Sequence, residues 1–528
     1  MAEVDLLTVG SVIIVATIVG SILRWRGISP ALPLLIVGII FGIIDVGPDA
    51  PTDPEFVLVA LLAPLVFGEA LSSSIVDLRR VSRPVMLLAV GLVVFGAFVV
   101  GAAVVAVVPG IPWSMAFALG AILAPTDAVA VSSTAKQVGL PRRLVQILEG
   151  ESLVNDGTAL TLLKVASTAA LAGTVTAGEV GVILLESIFG GVIVGALGGL
   201  LLVLVMRRSN DVVVTNALII LAPFPIYLAA ERLQGSGILA VVVAALILAH
   251  ATSSAVTYNG RLVAASIWTT FTFLLQSSAF LLVGLEMPGV VESVTKASPV
   301  QVVVTVVVVA VALILARFLF VWFMTLLSST VSVRDKSWLL VAWAGVRGPI
   351  SILAAFTLPI TNESGQTIDY RSLVITVTFF VVVVSLLAAP TIGILARRLH
   401  LKEDDDSGTV RRVRLQMARA SLDRLEEIAG VADRAGRPIP ADVVDKLRRV
   451  GERRLDLLSK RLESDERHQT EGEVREQFVQ SVATEMMHAE QQELLRLRSE
   501  EGLPDDLMKE LQTELDVRIR AAQTPHGA

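Results

Sequence analysis

No cysteine occurs in the 528 residues, which excludes a disulfide framework, a thiolate metal site and a cysteine nucleophile and leaves the redox compartment unreadable. Charge is the second scarcity. Charged residues make up 17% of the chain, and they are sparse before about residue 398 and dense after it, so two regions with different solvents are expected. The early basic residues sit mostly in short loops and the net charge is −6, a pattern without a nucleic-acid footprint. A basic leader is also missing. Glu3 and Asp5 precede the first apolar stretch, Leu6 to Leu23, and no small-residue cleavage site follows it, so it reads as a retained membrane helix and not as a signal peptide.

What fills the chain is apolar: 54% of residues are hydrophobic and the mean hydropathy is +0.73, which belongs in a bilayer. A spanning helix needs roughly 20 mainly apolar residues. Thirteen such segments are expected, at 6–24, 30–46, 56–72, 84–108, 111–134, 143–172, 180–206, 212–230, 236–251, 264–286, 299–327, 337–360 and 372–396. Loop charge tests the count, because cytoplasmic loops collect Lys and Arg. With the N-terminus outside, fifteen basic residues from Arg24 to Arg398 fall on inside loops or the last exit, against Arg232, Lys296 and Arg371 outside. The fold expected is an all-α membrane protein whose transmembrane domain occupies 1–398. Its halves, 6–172 and 212–396, flank a linker helix at 180–206, which gives them inverted topology. Residues 399–528 open on the acidic run Glu403 to Asp406 and continue in Arg/Glu-rich stretches. Stripes at Leu422, Leu425 and Ile428 and at Val444, Leu447, Val450 and Leu455, with a helix start at Pro504, predict a cytoplasmic helical tail. No Gly-rich nucleotide fingerprint occurs in the tail.

Ionisable groups inside a membrane are costly and mark partners, water or function. Three segments carry them in clusters. Segment five holds Ala124-Pro125-Thr126-Asp127-Ala128, where Pro125 frees backbone carbonyls near mid-membrane. Those carbonyls and the Thr126 hydroxyl are the hard oxygen ligands a small cation prefers. Segment six holds Glu149-Gly150-Glu151-Ser152-Leu153-Val154-Asn155-Asp156-Gly157, with Ser152, Asn155 and Asp156 on one helix face. Segment twelve holds Gly345-Val346-Arg347-Gly348-Pro349-Ile350-Ser351, a second break beside a permanent cation, for which Glu151 is the expected counter-ion by depth. Two broken helices at corresponding places in two halves point to a transport site. Glu69, near the cytoplasmic end of segment three, lines an entry path or meets headgroups. Lys164 and Glu186 lie toward the outer side and snorkel, whereas Arg317 is deep enough to need a carboxylate.

These residues resemble the monovalent cation:proton antiporters of the NhaP and NHE type, bacterial Na⁺/H⁺ antiporters among them. The resemblance rests on Pro125-Thr126-Asp127, on Gly150-Glu151-Ser152 with Asn155-Asp156-Gly157, and on Gly345-x-Arg347-Gly348-Pro349; it spans residues 6–398 and leaves out the tail. It implies a homodimer of thirteen-helix protomers in the bacterial inner membrane, with a mobile six-helix core and elevator-like alternating access. It implies Asp156 as the carboxylate that binds cation or proton, with Thr126, Ser152 and Glu69 completing the ligand set, and Na⁺ as the cation held at Asp156, Ser152 and Thr126. Asp127 and Asn155 would brace the broken helix, and Glu151 would pair with Arg347. The Asn155-Asp156 pair is similar to that of the electroneutral branch. No cofactor and no enzymatic reaction are implied; the partners are monovalent cations, protons and the lipid bilayer. A channel, or a membrane-bound sensor signalling through the tail, is one competing class. A channel needs a continuous polar pore, and the sequence shows one compact midplane cluster. Two further readings compete. One is a K⁺/H⁺ antiporter working by the same mechanism. The other is an intramembrane aspartyl protease using Asp127 and Asp156, whose Tyr-Asp and Gly-x-Gly-Asp motifs are absent.

Overall fold

The computed structural model describes residues 6–26, 30–44, 57–73, 75–127, 139–172, 176–209, 211–255, 258–295, 299–327, 336–361, 367–401, 407–434, 439–463 and 490. Among them the chain is helical without strands, a lone bridge between Thr361 and Thr367 apart. It divides into two compact units, Met1–Glu403 and Asp404–Ala528.

The first unit opens with α1 (Leu6–Trp25), α2 (Ala31–Ile43) and α3 (Ala63–Ser72), the last led in by a π-helical turn at Val57–Leu62. After the short helix Ile75–Arg80 come α4 (Ser82–Val107) and α5 (Trp113–Leu123). Then follow α6 (Arg142–Ala172), α7 (Ala177–Arg208), α8 (Val212–Arg232), α9 (Gly237–Ala255), α10 (Tyr258–Thr295) and α11 (Pro299–Leu327). The unit ends in α12 (Ser337–Trp343), α13 (Pro349–Phe356), α14 (Arg371–Ala388) and α15 (Thr391–Arg398). Six helices among the described residues are long and apolar enough to cross a bilayer, and five shorter apolar ones accompany them. Helix is the only open-ended element that hydrogen-bonds all its own backbone in hydrocarbon, and runs such as Val302–Val309 follow it despite β-branching.

Several boundaries differ from the sequence expectation, each for a local reason. Segment eight bends at Ala222, where Pro223 and Pro225 start a second helical piece. Segment ten extends to 38 residues across Pro288, past the polar ends that hydropathy alone would trim. The final segment divides at Pro390. Segment five leaves helix after Leu123, and its residues 128–134 lie outside the described residues, as do the acidic run at 403–406 and the Pro504 helix start.

Close packing uses glycine where backbones touch. On α2, a Cβ at Gly38 would lie 2.3 Å from the Leu281 carbonyl of α10, and one at Gly284 would lie 2.4 Å from the Leu35 carbonyl. Helices α7 and α9 meet in the same way, Gly195 facing the Ala240 carbonyl at 2.3 Å. Small residues let helices approach when hydrophobicity itself supplies no drive in lipid.

In the second unit α16 (Ser407–Arg434) and α17 (Ala441–Glu463) form a hairpin. Leu422 fills the space over Gly451, Ala418 and Val444 are buried, and Arg448 pairs with Glu426 at 2.9 Å. The expected stripes are buried only in part: Ile428, Leu447 and Val450 are exposed.

Candidate functional site

The site forms where two interrupted helices cross beside an uninterrupted one. In an unbroken α5 the Leu123 carbonyl would accept from the Asp127 N–H. Here Asp127 N–H donates to the Val346 carbonyl at 2.8 Å, inside the break between α12 and α13. The abandoned Leu123 carbonyl accepts from Arg347 Nε at 3.0 Å. A second orphan, the Val341 carbonyl at the end of α12, accepts from Arg317 Nε at 3.1 Å. Each break thus supplies donors for the other's orphans, which removes the cost of unpaired backbone at membrane depth.

Helix α6 runs intact through this crossing and presents the predicted face. Ser152 Oγ donates to the Thr126 carbonyl at 2.7 Å. Asn155 Nδ2 donates to Thr126 Oγ1 at 3.2 Å, and Thr126 Oγ1 donates to Glu151 Oε1 at 3.3 Å. Thr126, Glu151, Ser152, Asn155 and Asp156 are all buried. Glu69 from α3 joins Asp156, Thr126, Asp127, Ser152, Pro125, Gly348 and Pro349 around one cavity of about 20 Å³. That is room for roughly one water-sized body. Asp156 also borders a second, smaller space of about 10 Å³, walled largely by apolar side chains such as Ile122, Leu163 and Ala354. The carboxylate therefore stands between two hollows of different polarity.

One expected partnership is corrected. Glu151 does not pair with Arg347; it takes Arg317, through Nη1 at 2.5 Å and Nη2 at 2.8 Å. Arg317 reaches from α11 with both charges almost fully enclosed, and its planar fork matches the carboxylate edge to edge. Arg347 is spent instead on the Leu123 and Gly345 carbonyls, while its N–H donates to Ser385 Oγ at 2.6 Å. Depth in a sequence does not rank two arginines on different helices. Lys164 differs as well. It does not simply snorkel but pairs with Glu231 at 3.1 Å and donates to the Gly235 carbonyl, and Glu231 also accepts the Gly237 N–H at 2.8 Å.

Two polar lining residues were given no role from sequence: Gln276 of α10 and Ser351 of α13. Gln276 interrupts the apolar stretch between Phe271 and Leu282, so the cost of a polar group at mid-membrane was its signal. Ser351 follows the Gly348-Pro349 break by one short turn. Asp127 lines the cavity while its carboxylate sits against Gly348, where a Cβ would be 2.3 Å from Oδ2.

Comparison with known proteins places this geometry in context. The family model "Sodium/hydrogen exchanger, transmembrane" matches residues 11–398. A Mycobacterium tuberculosis protein termed an uncharacterized Na⁺/H⁺ exchanger is 32% identical, over 97% of this chain and 96% of its own. A Bacillus subtilis protein named a sodium, potassium, lithium and rubidium/H⁺ antiporter is 30% identical, over 69% of this chain and 57% of its own. Among solved structures, the sodium proton antiporter of Methanocaldococcus jannaschii superposes with a TM-score of 0.60 at 21% identity, over 74% of this chain and 97% of that one, which shows a shared fold.

Proposed function

The chain belongs to the sodium/hydrogen exchanger family, and on that premise we propose that it exchanges Na⁺ for H⁺ one for one, with Asp156 as the group that carries either ion. The observation that carries the reading is Asp156 itself. It is a buried carboxylate on an unbroken helix, at a cavity sized for one small body, with oxygens of Glu69, Thr126 and Ser152 around the same cavity. A bare carboxylate in hydrocarbon is expensive, so the site crosses readily only when a proton or a cation neutralises it. One carboxylate exchanging one proton for one monovalent cation moves no net charge, which makes the exchange electroneutral.

The two hollows beside Asp156 support alternating access, with α6, α11 and the paired breaks moving together as one body against the other helices. In this reading Asp127 and Asn155 brace the break and the Glu151–Arg317 pair fixes α6 to α11. The working unit is a homodimer in the bacterial plasma membrane, thirteen helices per protomer, with the N-terminus outside and the helical tail in the cytoplasm.

Competition sets the sign of the pH dependence. Protonated Asp156 excludes cation, so apparent cation affinity weakens as pH falls, by about tenfold per unit once the carboxyl is mostly protonated, because the ligand must be deprotonated to bind. Dequenching of a pH-sensitive dye in everted vesicles tests both claims, with Na⁺, Li⁺ or K⁺ added across a pH series. Responses to Na⁺ and Li⁺ that vanish in Asp156→Asn and weaken in apparent affinity toward acid are expected. A response to K⁺ alone would change the substrate and keep the mechanism. An affinity flat in pH would sink competition.

A further inference from the structure

A third hollow lies beside the α12–α13 break. Helices α11, α12 and α14 border an open cleft of about 90 Å³, walled by Leu313, Phe318, Trp343 and Val381 and floored by Arg317 and Arg347. Its rim residues Ile314 and Val384 are 45% and 51% exposed. In a membrane-spanning unit, exposed apolar residues face lipid chains, so the mouth opens into the hydrocarbon.

The floor is unbalanced in charge. Arg317 is neutralised by Glu151. Arg347 is 7% exposed, and among the described residues its side chain bonds only the Leu123 and Gly345 carbonyls. Asp127 borders the polar cavity and does not border this cleft. A buried guanidinium without a carboxylate is costly. It keeps donors to spare, since the group has five.

We propose that this cleft binds a long-chain fatty acid, its carboxylate on Arg347 and its chain lying out between α11 and α14 toward the bilayer. Depth selects the head group. Arg347 lies four residues past the end of α12, whose 7 residues rise about 10 Å, well inside a core about 30 Å thick. A phosphodiester is permanently charged and carries a second chain. A single-chain carboxylic acid gives its proton to water at the membrane surface, and its anion matches the guanidinium fork in geometry. The bound anion supplies the missing counter-charge and ties α11 and α14 to the break that shapes the transport site. The inference is independent of which cation is carried.

The test is thermal unfolding of the detergent-purified full chain with oleate, oleyl alcohol or dioleoylphosphatidylglycerol added. Oleate is expected to raise the midpoint saturably, oleyl alcohol to leave it unchanged, and cleft-filling Val384→Trp or Ile314→Trp to abolish the oleate shift. A diazirine-bearing fatty acid on the wild-type chain gives a readout that needs no variant, with labelling expected on peptides of α11 and α14. Equal shifts from oleyl alcohol and oleate, a shift from the phospholipid alone, an undiminished shift in the filled variants, or labelling elsewhere would each overturn the proposal.

Discussion

At the scale of single residues, the pair of Glu151 and Arg317 shows how a buried charge acts on stability. Both side chains are nearly inaccessible, 2% and 3% exposed, so removing one strands the other in low dielectric, a loss of about 3–5 kcal/mol. Arg317→Gln is therefore expected to lower unfolding stability in detergent by that order. Glu151→Gln added to it should recover part of the loss, because no uncompensated ion remains. Strict additivity of the two losses in denaturant unfolding would show that the pair does not act as a unit. Gly348 gives a second residue-level outcome. Its φ of −112° is ordinary, so Gly348→Ala introduces no backbone strain; its cost is a methyl driven into the Asp127 carboxylate. Displacing that carboxylate should reduce vesicle transport by about tenfold or more, since each 1.4 kcal/mol in a barrier is a factor of ten, with expression little changed. Normal transport in Gly348→Ala would show that the carboxylate's position is immaterial.

At the scale of elements, the two interruptions were readable because proline announces itself: Pro125 and Pro349 each delete a donor, and polar neighbours follow. Hidden from the sequence was how the interruptions serve one another, Asp127 N–H to the Val346 carbonyl and Arg347 to the Leu123 carbonyl, since that depends on residues over two hundred positions apart. The face of α6 was legible from 3.6-residue spacing, whereas the partner of Glu151 was not, because spacing along one helix says nothing about which neighbour faces it. Helix packing was likewise invisible until glycines were seen against backbone. Gly284→Ala on α10 would place a methyl 2.4 Å from the Leu35 carbonyl of α2, forcing the helices apart at a cost of about 1–3 kcal/mol. A lowered thermal midpoint with unchanged helical circular dichroism is the expected result, and Gly289→Ala on the same helix, where a Cβ meets nothing within 4 Å, is the control that should leave the midpoint in place.

At the scale of the whole molecule, the proposed alternating access would require contacts that hold one state and yield to the other, and the Lys164–Glu231 bridge is a candidate for such a contact. It joins α6, which carries Asp156, to α8. If α6 moves relative to α8 during exchange, the bridge must open in each cycle, and its strength limits how far it can bias the equilibrium. The side chains are 30% and 35% exposed, where such pairs contribute about 0.2–1 kcal/mol. That range corresponds to a population shift of at most about fivefold. Lys164→Ala should therefore change the transport rate by no more than about fivefold in either direction and barely move the thermal midpoint. The reversed pair Lys164→Glu with Glu231→Lys should bring the rate back only in part, because Glu231 also holds the Gly237 N–H, a bond lysine cannot accept. A hundredfold loss in Lys164→Ala would be too large for a solvent-screened pair, and would mean that Lys164 takes part in moving the ions themselves.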